Sequence, residues 1–467
     1  MPDINEGAFS ASEEPAPEEE PKEEEGRPRV KVRFCVFFDG TLNNRTNVEE
    51  REKNSKAYQD HKPKAGDDPN SYEGDKTNVA KMESYIDKKS LGKDWELFTT
   101  YIEGPGTEDL KSDSRTGYAF GMGDTGVKEK VNKGIERVAL LLKNTLTGKP
   151  IIEELVLDVF GFSRGAAGAR YFIHKTLSDK SGLFSSPEPL ADKIRAKGFD
   201  IDKKSVRVEF VGLYDTVSSE GLNHNDVSSL KLTAVDRSDV KTVIQLAAAD
   251  EHRSNFALTT IDSAIGKDKG GKEIFLPGVH SDIGGGYRND IEENLVLNES
   301  HDRSSLEEDR KCLLRQGWFT EEQIYIESPP ALELMTSLHS EMPPPELHRL
   351  KSRRTGLDSS YAKIPLNIMA GFFCKTGIVL RVQFQRKEVP PSQLSGAYKD
   401  LDAYAQKDKS SAGDWHGSEC YDRYDWLKKL RNQRLHFSAH YQRSYLVLAA
   451  HKPRFYNGQR ERRTIRG

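Results

Sequence analysis

Short, unbroken apolar runs alternate along this chain with stretches whose apolar residues recur every three or four positions. The run Val30-Lys31-Val32-Arg33-Phe34-Cys35-Val36-Phe37-Phe38 is β-branched and aromatic and stops at Asp39-Gly40-Thr41, which predicts a buried strand feeding a tight turn. Residues 44–78 are polar and read as loop. A second strand is predicted at 97–102, closed by Gly104-Pro105-Gly106, and a helix follows on Val127, Val131, Ile135, Val138 and Leu142. A third strand, 155–160, runs into a turn from Gly161 to Gly165 and then a helix rich in small residues, 166–177. Further strands are predicted at 206–213 and 274–279. Strands alternating with helices give an α/β fold, a mostly parallel central sheet with helices on both faces.

Beyond Tyr287 the texture changes. Residues 291–358 are charged, with short helical patches and the Pro-rich points Ser328-Pro329-Pro330 and Met342-Pro343-Pro344-Pro345, which predicts a polar, partly helical insertion outside the sheet and a candidate cap or lid. The main domain resumes at Ile364-Pro365-Leu366 and again at Tyr445-Leu446-Val447-Leu448. The expected organisation is a disordered acidic leader (1–28), the core of the fold (29–290), the insertion (291–358), the rest of the main domain (359–450) with a polar insertion at 386–420, and a basic tail (451–467).

Charge sharpens this division. The first 27 residues hold ten acids and two bases, so the net charge of −4 splits into −8 there and +4 elsewhere. A nearly neutral body offers no broad positive field for a nucleic-acid backbone, and the tail, with six Lys/Arg and one Glu over 452–466, is read as solvated. The four cysteines, Cys35, Cys312, Cys374 and Cys420, form no CxxC pair and are read as core fillers, not as disulfides or zinc ligands. No apolar stretch reaches the length of a membrane span and no secretory signal opens the chain, so synthesis as a soluble cytoplasmic protein is expected.

The sharpest chemical signal is Gly161-Phe162-Ser163-Arg164-Gly165, a GxSxG between a buried strand and a helix. Glycines on both flanks let strand and helix close in while the serine hydroxyl is held up at the carboxyl end of the sheet. The Arg164 N–H at the helix start can stabilise an oxyanion. A serine needs a base and the base an orienting acid. Asp215, in Tyr214-Asp215-Thr216-Val217, follows one predicted strand, and His280, in Gly278-Val279-His280-Ser281-Asp282-Ile283-Gly284-Gly285-Gly286-Tyr287, follows another; both fall on the edge where Ser163 emerges. His174, inside a helix, and His61, His301 and His348, in polar stretches, lack that placement. Asp282 competes for the acid role but is expected to bond the backbone of its glycine loop. Phe38-Asp39-Gly40-Thr41-Leu42 resembles the first motif of haloacid dehalogenase-type phosphatases, yet Phe37 stands where their nucleophilic aspartate would be. That turn instead offers backbone donors at Gly40 and Thr41 for an oxyanion hole, with Asp39 in support, or is simply structural. No cofactor is called for and no metal motif stands out: His436 and His440 lack the glutamate of HExxH and read as surface or rim residues. Leu366, Met369, Phe372 and Phe373 fall in a stretch that is either core or the lining of an acyl-chain pocket.

Phe38-Asp39-Gly40-Thr41-x-Asn43, the GFSRG block with Ala166-Ala167, Tyr214-Asp215-Thr216-Val217, Ala249-Asp250-Glu251-x-Arg253 and the block from Gly278 to Tyr287 together resemble the large bacterial α/β-hydrolase family that includes the first class of type VI secretion lipase effectors. The blocks keep the family's order over about residues 34–290, and Ile364-Pro365-Leu366 and Leu435-His436-Phe437-Ser438 resemble its later part. By resemblance the Ser, Asp and His of that family fall on Ser163, Asp215 and His280. The resemblance further implies a phospholipase A-type esterase acting on membrane phospholipids, delivery on a VgrG-type spike protein into a rival's periplasm, and a cognate immunity protein in the producer. A hydrolase of another ester and a non-catalytic binding module on the same scaffold are the alternatives.

Overall fold

Successive side chains leave a strand on opposite faces, and in β1 (Arg29–Phe38) both sets are apolar. Val32, Phe34, Val36 and Phe38 enter one buried cluster, Cys35 and Phe37 another. A strand buried on both sides belongs in the middle of a covered sheet. The computed structural model, which describes residues 27–64, 70–114, 123–177, 190–218, 227–328, 347–441 and 451–467, contains that sheet. After β1 come β2 (Trp95–Ile102), β3 (Ile151–Phe162), β4 (Asp200–Ile201), β5 (Val206–Tyr214), β6 (Val240–Ala248), the separate β7 (Leu258–Thr259) and β8 (Gly271–Leu276). The sheet order is β2-β1-β3-β5-β6-β8, with β4 beside β3, and every pairing is parallel.

Helices cover both faces, as the alternation predicts. Asn78–Ser84 and Lys363–Cys374 pack on the face of Phe37 and Phe160; Val127–Thr145 and Arg164–Leu177 pack on the other. The chain crosses from β1 to β2 on one side and from β3 to β5 in the opposite direction. The winding therefore reverses between β1 and β3, and the carboxyl ends of those two strands flank the crevice where such sheets bind ligands. No helix among the described residues is long and apolar enough to cross a membrane.

Several polar stretches are more ordered than their composition suggests. Residues 44–78, read as loop, contain the helices Arg45–Glu52 and Lys56–His61, and the next helix starts at Asn78; the side chains of Asn44, Ser55 and Thr77 cap the three. The 291–358 insertion lies outside the main sheet as expected, but it is a three-stranded antiparallel sheet in the order β10 (Ile324–Glu327), β11 (His348–Leu357), β9 (Ile291–Ser300), with the helix Arg303–Arg315 against it. Its alternation was hidden because inward positions of β11 carry Ser352 and Arg354, the latter paired with the inward Glu293 of β9. The 386–420 stretch folds into helices, of which Ser395–Ala405 buries Ala397, Leu401 and Tyr404. Strand β6 has no counterpart in the sequence reading, since its buried run is interrupted by Gln245 and ends in alanines. Cys35 and Cys420 are buried, whereas Cys374 is exposed and so fills no core. The leader up to residue 26 and the segment 445–448, where the main domain was expected to resume, lie outside the described residues.

The basic tail departs most from expectation. After β12 (Phe455–Tyr456) and β13 (Gln459–Arg460), β14 (Thr464–Ile465) pairs in parallel with β7, and the side chains of Arg460 and Arg462 are both only 7% exposed. Each guanidinium meets a carboxylate, and that pairing is what a solvated reading overlooks.

Candidate active site

Strand β3 ends at Phe162, and Ser163 turns the chain with a φ of 58°, a left-handed conformation that a serine adopts only under constraint. The constraint is visible in the backbone. The Ser163 N–H donates to the Tyr214 carbonyl at 3.0 Å, and its carbonyl accepts from Ala166 at 3.0 Å and Val217 at 3.3 Å. The flanking glycines are sterically required: a Cβ on Gly161 would lie 2.5 Å from Ala166 Cα, and one on Gly165 2.2 Å from the Asp39 carbonyl oxygen. The helix Arg164–Leu177 can therefore start directly behind the serine, its first N–H groups facing the crevice end of the sheet.

Asp215 stands one strand over, immediately after β5, and also has a positive φ, 45°. Its N–H donates to Leu246, and its Oδ1 accepts the Ala248 N–H at 2.8 Å, so both ends of the residue are tied to β6. His280 begins the short helix His280–Gly284 behind Gly278, whose φ of 113° favours glycine. Its Nδ1 lies 2.5 Å from Asp215 Oδ2, and the Phe162 and Phe256 rings pack on the imidazole at 4.6 and 5.1 Å. With Nδ1 donating to the carboxylate, Nε2 is the proton acceptor of the neutral ring. Ser163, Asp215 and His280 are all buried.

The electrostatics match that assignment. Burial alone would raise Asp215, but the Arg462 guanidinium and the His280 hydrogen bond outweigh it and hold the carboxyl below its ordinary value. Burial lowers His280, against the upward pull of Asp215, so the ring is kept neutral further into acid.

The other expected residues divide. Asp282 bonds the Val279 N–H at 3.0 Å, as expected of a loop residue, and its remaining partners are the His436 N–H at 3.1 Å and the His436 ring at 2.7 Å. It does not turn to His280. His436 and His440 are buried, not at the surface or rim; Tyr287 stacks on His436 at 3.7 Å. The Gly40 N–H, expected to face the site, donates instead to its neighbour Asp39 at 2.8 Å. Asp39 also accepts from Thr77 at 2.8 Å and Tyr101 at 2.5 Å, and burial raises it to about 6 against these three donors. Thr41 takes part through its hydroxyl, which accepts from Arg164 Nε at 2.6 Å and joins the turn to the serine's helix. Leu366, Met369 and Phe373 are buried in the core under the sheet, Phe373 against Phe160 at 4.9 Å and Phe210 at 5.3 Å. Phe372 is half-buried beneath Lys375 and Lys272.

The residues that hold His280 in place have no catalytic signature of their own in the sequence. Asp250 accepts the Gly278 N–H at 2.7 Å and pairs with Arg431 at 2.8 Å and His416 at 2.9 Å. Glu251 accepts the His280 N–H at 3.2 Å while it is gripped by Arg253 and Ser438. The block Ala249-Asp250-Glu251-x-Arg253 was the available signal for these. Arg462, on Asp215 at 2.6 and 2.8 Å, had none. Among the described residues no group of three or more His, Cys, Asp or Glu is placed to hold a metal ion.

Comparison with known proteins agrees with the resemblance seen in the motifs. Residues 175–306, a span that includes Asp215 and His280, match the model of the T6SS Tle1-like phospholipase effector catalytic domain. The fold is similar to that of the Tle1 effector solved bound to the VgrG spike of the type VI secretion system, with a TM-score of 0.64 at 22% identity over 94% of each chain. An uncharacterized protein from Pseudomonas aeruginosa aligns with 83% of this chain and 52% of its own at 18% identity, with a TM-score of 0.40. No curated protein matches the chain.

Proposed function

We propose that this chain belongs with the Tle1-like phospholipase effectors and is a serine esterase of the phospholipase A type, an antibacterial toxin delivered by a type VI secretion system. The observation that carries the enzymatic reading is the buried Asp215–His280 pair set beside a serine with a left-handed backbone. His280 Nε2 takes the proton of Ser163 as its oxygen attacks an acyl ester carbonyl. The oxyanion is met by backbone N–H groups at the start of the helix, Arg164 first, with the Thr41 turn bonded to it. The protonated ring then passes its proton to the departing alcohol, and water releases the fatty acid by the same route in reverse. Asp215 holds the imidazole in one tautomer throughout.

The acyl specificity and the biological setting rest on the family resemblance: VgrG-type spike, cognate immunity protein, action at a target cell's periplasm or membrane. The domain division carries over with two changes, the 291–358 unit as a small antiparallel sheet and the tail as part of the catalytic domain. Packing of Leu366, Met369 and Phe373 into the core favours a second reading, an esterase of smaller soluble substrates. Fatty-acid release from phosphatidylethanolamine and phosphatidylglycerol vesicles, by the purified protein and by Ser163→Ala, separates the two when a short-chain ester is run alongside. Release that depends on Ser163 supports the phospholipase; cleavage of the short ester alone keeps the triad and removes the membrane substrate.

A further inference from the structure

The tail segment 452–467 runs along the loops that build the site. Ser254 N–H donates to Lys452, Arg454 N–H to His252 and Leu258 N–H to Arg463, and β14 adds to β7. Along this path two arginines point to different units. Arg460 reaches the antiparallel unit, bonding Asp309 at 2.9 Å and the Leu297 carbonyl at 2.7 Å. Arg462 reaches the main domain, donating to the carbonyls of Phe256 at 2.9 Å and Ala248 at 3.1 Å and, through both terminal nitrogens, to both oxygens of Asp215.

We infer that Arg462 is a positioning residue for the triad: its two-pronged grip sets the plane of the Asp215 carboxylate and keeps it charged, so that Oδ2 faces His280. The inference rests on the proposed serine-hydrolase reading. A guanidinium matches a carboxylate at two points at once, which fixes orientation as well as charge. The geometry needs such a fixture, because Asp215 has a positive φ at the end of its strand and, among the described residues, its side chain is otherwise held only by the Ala248 N–H and by the ring it must orient. Among the described residues the charged groups around the pair are Asp215 itself, Arg462 from the tail, and Glu251 and Arg253 from the segment after β6, with Tyr287 beside Arg253. Glu251 and Arg253 neutralise each other, which leaves Arg462 as the cation in direct contact with the acid.

Removing the guanidinium has two effects of the same sign. A buried Asp215 without its cation is harder to ionise, and a His280 relieved of a nearby positive charge is easier to protonate. Both require a higher pH to reach the active form. The test is the rate at which a fluorophosphonate labels Ser163, measured across pH in the full-length protein and in Arg462→Met and Arg462→Lys, with melting temperatures for each. Labelling in Arg462→Met is expected to fall by about 10²-fold, the cost of a small misplacement, with its acidic limb moved to higher pH and with partial recovery on adding guanidinium at non-denaturing concentration. Arg462→Lys is expected to keep the limb near its original position while losing part of the rate. A variant that folds and labels with an unmoved limb and no guanidinium response overturns the inference and leaves the serine reading intact. Wild-type protein that is not labelled at Ser163 overturns the serine reading and this inference with it.

Discussion

At the scale of single residues the site depends on which acid faces His280. Asp215 does, while Asp282 is committed to Val279 and His436. Asp215→Asn removes the acceptor that selects the tautomer and is expected to lower kcat of the folded protein by up to about 10⁴-fold, and, because it leaves the buried Arg462 guanidinium uncompensated, to lower the melting temperature as well. Asp282→Ala instead strips a buried loop of its acceptor, at a cost of about 1–3 kcal/mol in stability, and the folded fraction should turn over normally. Steady-state kinetics beside thermal melts distinguish the two. The pH dependence follows from the buried ring. A general base acts in its neutral form, and burial lowers the His280 pKa, so kcat/KM on a soluble ester is expected to persist below about pH 6.5 before falling. A profile whose acidic limb lies above that value would contradict the burial argument.

At the scale of elements, the elbow works because two glycines let β3, β1 and the following helix touch backbone to backbone. Gly165→Ala places a methyl 2.2 Å from the Asp39 carbonyl oxygen, and only movement of the helix relieves it. A loss of about 1–3 kcal/mol is expected, with labelling of Ser163 falling further than stability alone explains because the helix carries the Arg164 N–H. The helix Lys363–Cys374 gives the opposite kind of test. Phe373→Ala should cost about 3–5 kcal/mol as a core deletion, whereas Phe372→Ala should cost far less, and neither should alter the preferred acyl-chain length. A shift in chain-length preference for Phe373→Ala would return that residue to a binding role. These elements also show what was legible in the sequence. Strands β1, β3 and β5 were readable because each buries both faces toward its carboxyl end, where β-branched and aromatic residues dominate. The 291–358 sheet was not, since Ser352 and Arg354 occupy inward positions, and the helices at 45–61 are held by polar caps and not by apolar periodicity. Ser163, Asp215 and His280 could be picked out because each follows a recognisable strand or turn. Arg462 could not, because a charge looks the same in a sequence whether it meets water or a buried carboxylate.

For the molecule as a whole the decisive quantity is access. Ser163 is 5% exposed and His280 4%, so little of either residue meets solvent in this conformation. Closed sites of this kind are expected to open at a lipid surface, and activity on a given ester should rise as the substrate passes from monomer to micelle or vesicle. Rates that follow simple saturation through that transition would show that no such opening is needed. The tail adds a consequence in time. The partner of Asp215 is encoded 247 positions later, so the ion pair cannot form until that much more chain has been made. At about 5–20 residues per second, synthesis of the interval takes roughly 12–50 s. The proposed nucleophile and base are both present once residue 280 has been added, and Asp215 then still lacks its guanidinium. On the proposed reading, the site can be fully assembled only once the tail has been made.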